Sequence, residues 1–207
     1  MQHLAHLGKD KKLNKIIQLQ PPYQLQKRNQ VWLHLCHSIM SQQLSTKVAD
    51  VIQQRFLALY PRKKPSIQQV LDTPFDVLRS IGLSNAKTNY VINVCTFFKE
   101  EKITDARLHQ MSNEALIAYL TQIKGVGQWT VEMILMFTLG REDVLALDDL
   151  GIQQGMAKLY GLDTSNKKLL KEKMLQHSKK WSPYRTYACR YIWGWKDNTP
   201  ATKETKK

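Results

Sequence analysis

The chain has 207 residues, enough for one compact domain or for two lobes around a shared cleft. Lys and Arg number 31 against 17 Asp and Glu, and the formal net charge of +14 points to a polyanionic partner, most simply nucleic acid. No apolar run approaches the roughly 18 residues of a membrane span, and the N-terminus lacks a secretory hydrophobic stretch, so neither class is expected.

Residues 1–27 are polar and read as a short peripheral segment ending in an extended link at Pro21–Pro22. From about Lys27 to Tyr60, Leu35, Ile39, Val48, Val51, Ile52 and Leu57 recur at three- and four-residue spacing. That spacing predicts helices on either side of the polar interruption SQQLST, residues 41–46. Ser66 is placed to cap a short helix; Thr73-Pro74 predicts another, with Thr73 as N-cap and Pro74 at the first helical position. A tight turn at Leu78–Ser84 feeds a helix through Val91, Val94 and Phe98, and Ser112 opens one through Leu116, Leu120 and Ile123. Residues 149–160 and 165–180 read as helices, the first ended by Gly161. The stretch Trp181–Trp195 is the most aromatic, and residues 197–207 form a basic tail expected to be disordered. Strand-like alternation is almost absent, so the predicted fold class is all-α. Cys36, Cys95 and Cys189 are too widely spaced for a disulfide framework or a zinc site, which predicts a reducing, intracellular setting.

The richest segment is Leu120–Ile152. IKGVGQWT fits a helix, a glycine turn and a second helix, in which Gly125 and Gly127 permit unusual backbone and a close approach. The N–H groups opening the second helix would then face outward, where the helix dipole favours a phosphate. Downstream, Asp148 and Asp149 precede Leu150-Gly151-Ile152. Either aspartate suits an N-cap, and either suits a carboxylate that stabilises a deoxyribose losing its base; the residues alone do not choose.

The motifs SQQLS, IKGVGQWT, LDDLGI and WSPYRTYACRYIW together resemble the helix-hairpin-helix (Gly-Pro-Asp) superfamily of DNA glycosylases. Within it the chain is most similar to the 3-methyladenine DNA glycosylase II branch. The resemblance implies two helical lobes flanking a DNA-binding cleft, formed over residues 1–196, with the N- and C-terminal segments sharing one lobe. It implies base-excision repair by hydrolysis of the N-glycosidic bond of alkylated purines (3-methyladenine, 7-methylguanine) after base flipping, leaving an abasic site in double-stranded DNA. The implied catalytic carboxylate is Asp149, from its Asp-x-x-Ile context with Ile152, and Asp148 becomes a neighbour. Lyase-type relatives carry a lysine two residues after the second hairpin glycine; Trp129 stands there, so no Schiff base is expected. Iron–sulfur relatives use four C-terminal cysteines, whereas only Cys189 lies in that region, so no cluster is expected and no cofactor is required.

The resemblance places Trp129, Trp193, Met133 and Leu150 at the base pocket, where aromatic faces attract a cationic alkylated base. Met133 and Leu150 depart from tyrosines, and Lys124 replaces the usual hairpin proline. Gln43, with Gln42 as the alternative, matches the side chain that fills the hole left by a flipped base. Gly125, Gly127, Lys124, Gln128 and Thr130 are expected along the DNA backbone. The carbonyls of Thr121, Ile123 and Val126 match a site for Na+ or K+. Lys47 and Lys87 are further phosphate candidates, and His34, His37 and His177 lack ligand spacing. A monomer is expected, nucleoid-associated in a bacterial cytoplasm or nuclear in a eukaryote. The alternatives are a bifunctional oxidised-base glycosylase with lyase activity, a non-catalytic helix-hairpin-helix DNA-binding module, and a basic RNA- or ribosome-binding protein.

Overall fold

The computed structural model describes residues 2–198, and most of the expected 197–207 tail lies outside them. The described chain is helical without strands. In order, the helices are α1 (Gln2–Leu7), α2 (Lys11–Ile17), α3 (Val31–Ser41), α4 (Thr46–Ala58), α5 (Ile67–Asp72), α6 (Phe75–Ser80) and α7 (Asn85–Glu100). They continue with α8 (Asp105–Gln110), α9 (Asn113–Leu120), α10 (Gln128–Phe137), α11 (Leu150–Tyr160), α12 (Lys167–Ser178) and α13 (Arg185–Asn198). The chain folds as two compact units, one of Met1–Leu25 with Gly140–Lys207 and one of Gln26–Leu139. No described helix is long and apolar enough to cross a membrane.

In the unit of residues 26–139, α3 is the central helix. Val31, Leu35, Cys36, Ile39 and Met40 along it are fully buried, and α4, α7 and α10 pack around it. Helix α4 contributes Ala49, Ile52 and Phe56 from one face. Val48 and Val51, counted with that apolar pattern from sequence, point the other way and are nearly half exposed. Small polar caps set the helix starts. Ser66 closes a reciprocal capping box with Gln69, and Ser84 and Ser112 each accept a hydrogen bond from the third residue of their helix. The Thr73-Pro74 expectation is off by one: Thr73 closes α5 and Pro74 itself stands at the N-cap of α6, since the proline carbonyl accepts Val77 and Leu78.

The other unit corrects the view of the N-terminal segment, residues 1–27, as peripheral. Leu7, Leu13, Ile16 and Ile17 of α1 and α2 are buried, and α2 packs on α11 and α13. The cause is Asp10. It caps α2 through Oδ1, taking the N–H groups of Lys12 and Leu13 at 3.1 and 3.2 Å. Its Oδ2 takes the Tyr160 hydroxyl at 2.6 Å, the Trp181 indole N–H at 3.0 Å and an ion pair from Lys180 at 3.0 Å. Burial pushes this carboxyl up, but the donors from Trp181, Tyr160, Lys180 and Leu13 outweigh it and hold the group down at about 2. Burial and the Asp10 charge push the Tyr160 hydroxyl up in turn.

A carboxyl that titrates lower when folded contributes stability that is complete above its unfolded value near 4 and lost as pH falls through about 2. Asp10→Asn is therefore expected to cost about 2 kcal/mol at neutral pH. Urea titrations at stepped pH should show that deficit shrinking between about pH 4 and pH 2. A deficit constant across that window would remove the electrostatic account of the network.

Candidate active site

The hairpin lies within the unit of residues 26–139, between α9 and α10. After α9 ends, Val126 N–H bonds back to the Ile123 carbonyl at 2.9 Å, and the Ile123 and Val126 side chains anchor the turn in the core. The two glycines do different work. Gly125 has φ +103° and lies against Tyr90 of α7, where a Cβ would stand 2.1 Å from the ring. Gly127 is the N-cap of α10 at φ −92°, a conformation open to any residue, and nothing lies within 4 Å of where its Cβ would be. Its use is the space outside: no cap side chain folds over the first turn of α10, and no acidic residue stands in that turn. The result is an uncovered positive helix end.

The hairpin's other expected contacts fall unevenly. Lys124 is exposed, and its carbonyl accepts the Asn93 amide at 3.1 Å beside an open groove of about 450 Å³ between α7 and the turn. Gln128 is exposed, with its amide on Glu132 at 2.9 Å. Thr130 stands in the first turn of α10. It is 2% exposed and its hydroxyl accepts the Gln42 amide at 3.2 Å, so its side chain serves the interior and only its backbone belongs to the open turn. Thr121 is exposed, while Ile123 and Val126 contribute main-chain oxygens from a turn whose side chains are buried.

The loop after α3 separates the two wedge candidates. Gln42 is half-buried and tied to Thr130, whereas Gln43 is exposed at the loop apex with a left-handed backbone, φ 59°. Lys87, a phosphate candidate from sequence, instead spends its ammonium on the Met40 and Gln42 carbonyls. Trp129 and Met133 are half-buried and one helical turn apart on α10.

Asp149 belongs to the other unit, and of the two adjacent aspartates it is the one that caps a helix. Asp149 is the N-cap of α11, with Oδ1 taking Ile152 N–H at 2.8 Å. The same oxygen accepts the Trp193 indole N–H at 2.8 Å. Two donors from different helices fix the carboxylate's rotamer. Asp148, by contrast, is exposed and pairs with Lys171, a solvent-screened contact worth little. Leu150, expected at a pocket, is 65% exposed at the start of α11. The four pocket candidates are thus divided, Trp129 and Met133 in one unit and Trp193 and Leu150 in the other.

Sequence reasoning missed Gly151 and Gly155. A Cβ on Gly151 would lie 2.9 Å from the Trp193 indole nitrogen and 3.0 Å from Asp149 Oδ1; one on Gly155 would lie 2.3 Å from Ile192. Their spacing of four was visible, but the partner helix they face was not.

Residues 36–183 match the family model described as HhH-GPD superfamily base excision DNA repair protein. DNA-3-methyladenine glycosylase 1 of Schizosaccharomyces pombe is 34% identical over 92% of the chain and 84% of its own length. A putative DNA-3-methyladenine glycosylase of Bacillus subtilis is 32% identical over 75% of the chain, which spans about half (55%) of that relative. Among solved structures, the S. pombe 3-methyladenine DNA glycosylase in complex with abasic DNA superposes with a TM-score of 0.81 at 32% identity, covering 93% of this chain and 95% of that one.

Gly125→Ala should destabilise its unit by about 2–4 kcal/mol, from the ring clash and the positive φ together. Gly127→Ala should stay within about 1 kcal/mol of wild type. Equal losses in urea unfolding would contradict this division of labour.

Proposed function

The chain belongs to the HhH-GPD superfamily of base excision DNA repair proteins, and we propose that it is a monofunctional DNA glycosylase that hydrolyses the N-glycosidic bond of alkylated purines in duplex DNA. The observation that carries the reading is Asp149, a carboxylate oriented by the first turn of α11 and by Trp193. As the C1′–N bond breaks, the base leaves with the bonding electron pair and the sugar takes on oxocarbenium charge. A fixed carboxylate stabilises that charge, and it accepts a proton from the water whose oxygen bonds to C1′. Purines methylated at N3 of adenine or N7 of guanine carry a positive charge that departure neutralises, so no general acid is demanded. The products are the free base and an abasic site.

The DNA grip follows from the open end of α10 and the space beside Gly127, reinforced by exposed Lys124. We assign the wedge to Gln43 over Gln42, because Gln42 is already held by Thr130. The aromatic faces of Trp129 and Trp193 suit stacking on a cationic base. An indole at residue 129 offers no amine, so no Schiff base forms there and the DNA strand is left intact. We also assign a structural Na+ or K+ to the carbonyls of Thr121, Ile123 and Val126. The Ile123 oxygen keeps a lone pair after accepting Val126 N–H, and such an ion would offset phosphate charge without entering the reaction. The reading calls for no second subunit and places the activity wherever duplex DNA resides, nucleoid or nucleus.

Incubated with alkylated duplex DNA, the wild type should release methylated purines, and Asp149→Asn should slow that release by about 10²-fold or more. Normal release by the variant would remove Asp149 from catalysis; release by neither protein would favour a DNA-binding module without activity. DNA affinity should fall steeply with salt, by a log–log slope of roughly −0.9 per neutralised phosphate.

A further inference from the structure

Lys87 stands in the first turn of α7, its backbone N–H bonded to the cap residue Ser84 at 3.2 Å. Its side chain leaves that helix and reaches the end of α3, where Nζ donates to the Met40 carbonyl at 3.0 Å and to the Gln42 carbonyl at 2.6 Å. Carbonyls at a helix C-terminus lack intrahelical partners and lie at the negative end of its dipole. The ammonium is half-buried, and burial pulls its pKa below the ordinary lysine range. Among the described residues no carboxylate lies at ion-pair distance from it. What compensates this cation is the end of α3.

The segment those bonds hold is the loop that carries Gln43. The loop is also tied by Gln42 to Thr130 of α10, and Ser41 Oγ accepts the Gln53 amide of α4 at 2.9 Å while donating to the His37 carbonyl at 2.8 Å. Gln43 itself has a backbone that non-glycine residues adopt only under restraint, φ 59°. Restraints from α4, α7 and α10 thus converge on the residues before it, and the Gln43 side chain is turned out at the apex, with Leu44 and Ser45 exposed after it. We infer that Lys87 is a positioning residue for base eversion: it clamps the end of α3 so that Gln43 stands ready to enter the duplex. This rests on the glycosylase reading only for the identity of the everted group. Without the clamp, two carbonyls lose a charged donor and Gln43 must be ordered at each encounter, an entropic cost that falls on wedge insertion.

The test reads insertion separately from chemistry. A duplex carries an abasic analogue in one strand and 2-aminopurine facing it, so that a side chain entering the stack raises the probe's emission. Wild-type protein should raise it at saturation. Lys87→Met should bind with affinity changed less than about threefold, yet show insertion slowed about tenfold or more in stopped flow. Lys87→Arg, which keeps the charge and the donors, should restore it. Thermal unfolding of each variant checks folding, and Lys87→Gln, which keeps one donor, replaces the Met variant if that one does not fold. Insertion by the uncharged variant at the wild-type rate would overturn the inference, as would wild-type binding with no rise in emission. If Lys87→Met instead lost affinity uniformly and its salt slope fell by about one contact, Lys87 would be a phosphate ligand and the inference would fall. Base release by wild type is measured alongside. Wild type that inserts and releases no base would sink the glycosylase reading and leave the clamp standing.

Discussion

The hydrogen bond from the Trp193 indole to Asp149 has room to form because α11 carries glycines where Trp193 and Ile192 of α13 lie against it. Gly151 and Gly155 are one turn apart on that face, and a Cβ on either would stand within 3 Å of Trp193 or Ile192. The missing side chains let α13 come close enough for an indole N–H to reach 2.8 Å from a carboxylate that already caps α11. Asp149 is thereby fixed by the geometry of a helix pair, not by a loop. Its placement then depends on the packing of the whole unit, including α2, which packs on both helices and which the Asp10 network ties to α11 at Tyr160 and to Trp181 ahead of α13.

The other unit uses the same device for a different end. Gly125 lets the hairpin settle on the face of Tyr90, and the close contact aims the open end of α10 outward. The strong positive charge of the chain draws a polyanion from a distance, but a specific grip needs oriented N–H groups, and the turn supplies their direction. The loop after α3 completes the pattern: its bonds to Thr130 and Lys87 make α7 and α10 the frame on which the loop is held.

What could be read in the sequence was local. The hairpin shows itself through its glycines, the caps at Ser66, Ser84 and Ser112 through their spacing, and Asp149 through its neighbours. Whether an aspartate caps a helix or carries chemistry looked like a choice, but the two roles are compatible at Asp149, where Oδ1 caps α11 and takes the Trp193 indole and so orients the carboxylate for the role proposed above. The features that escaped depend on distant partners. Asp10 meets Tyr160 and Trp181 across 150 and 171 positions, and Lys87 meets Met40 across 47. Periodicity carries no trace of such pairings. Val48 and Val51 show the limit of spacing: it marks the helix they share with Ile52, yet of its described residues only Ala49, Ile52 and Phe56 are buried.

The central claim is that Trp193 serves the reaction by holding Asp149, beyond any stacking its ring provides. Trp193→Phe keeps an aromatic face and removes only the N–H and part of the ring. Single-turnover release of 7-methylguanine from alkylated duplex, with protein in excess, measures the bond-breaking step directly. The account predicts a rate lower by about tenfold, from one lost charge-assisted hydrogen bond of about 1.5 kcal/mol, with DNA affinity unchanged. A rate equal to wild type would contradict it.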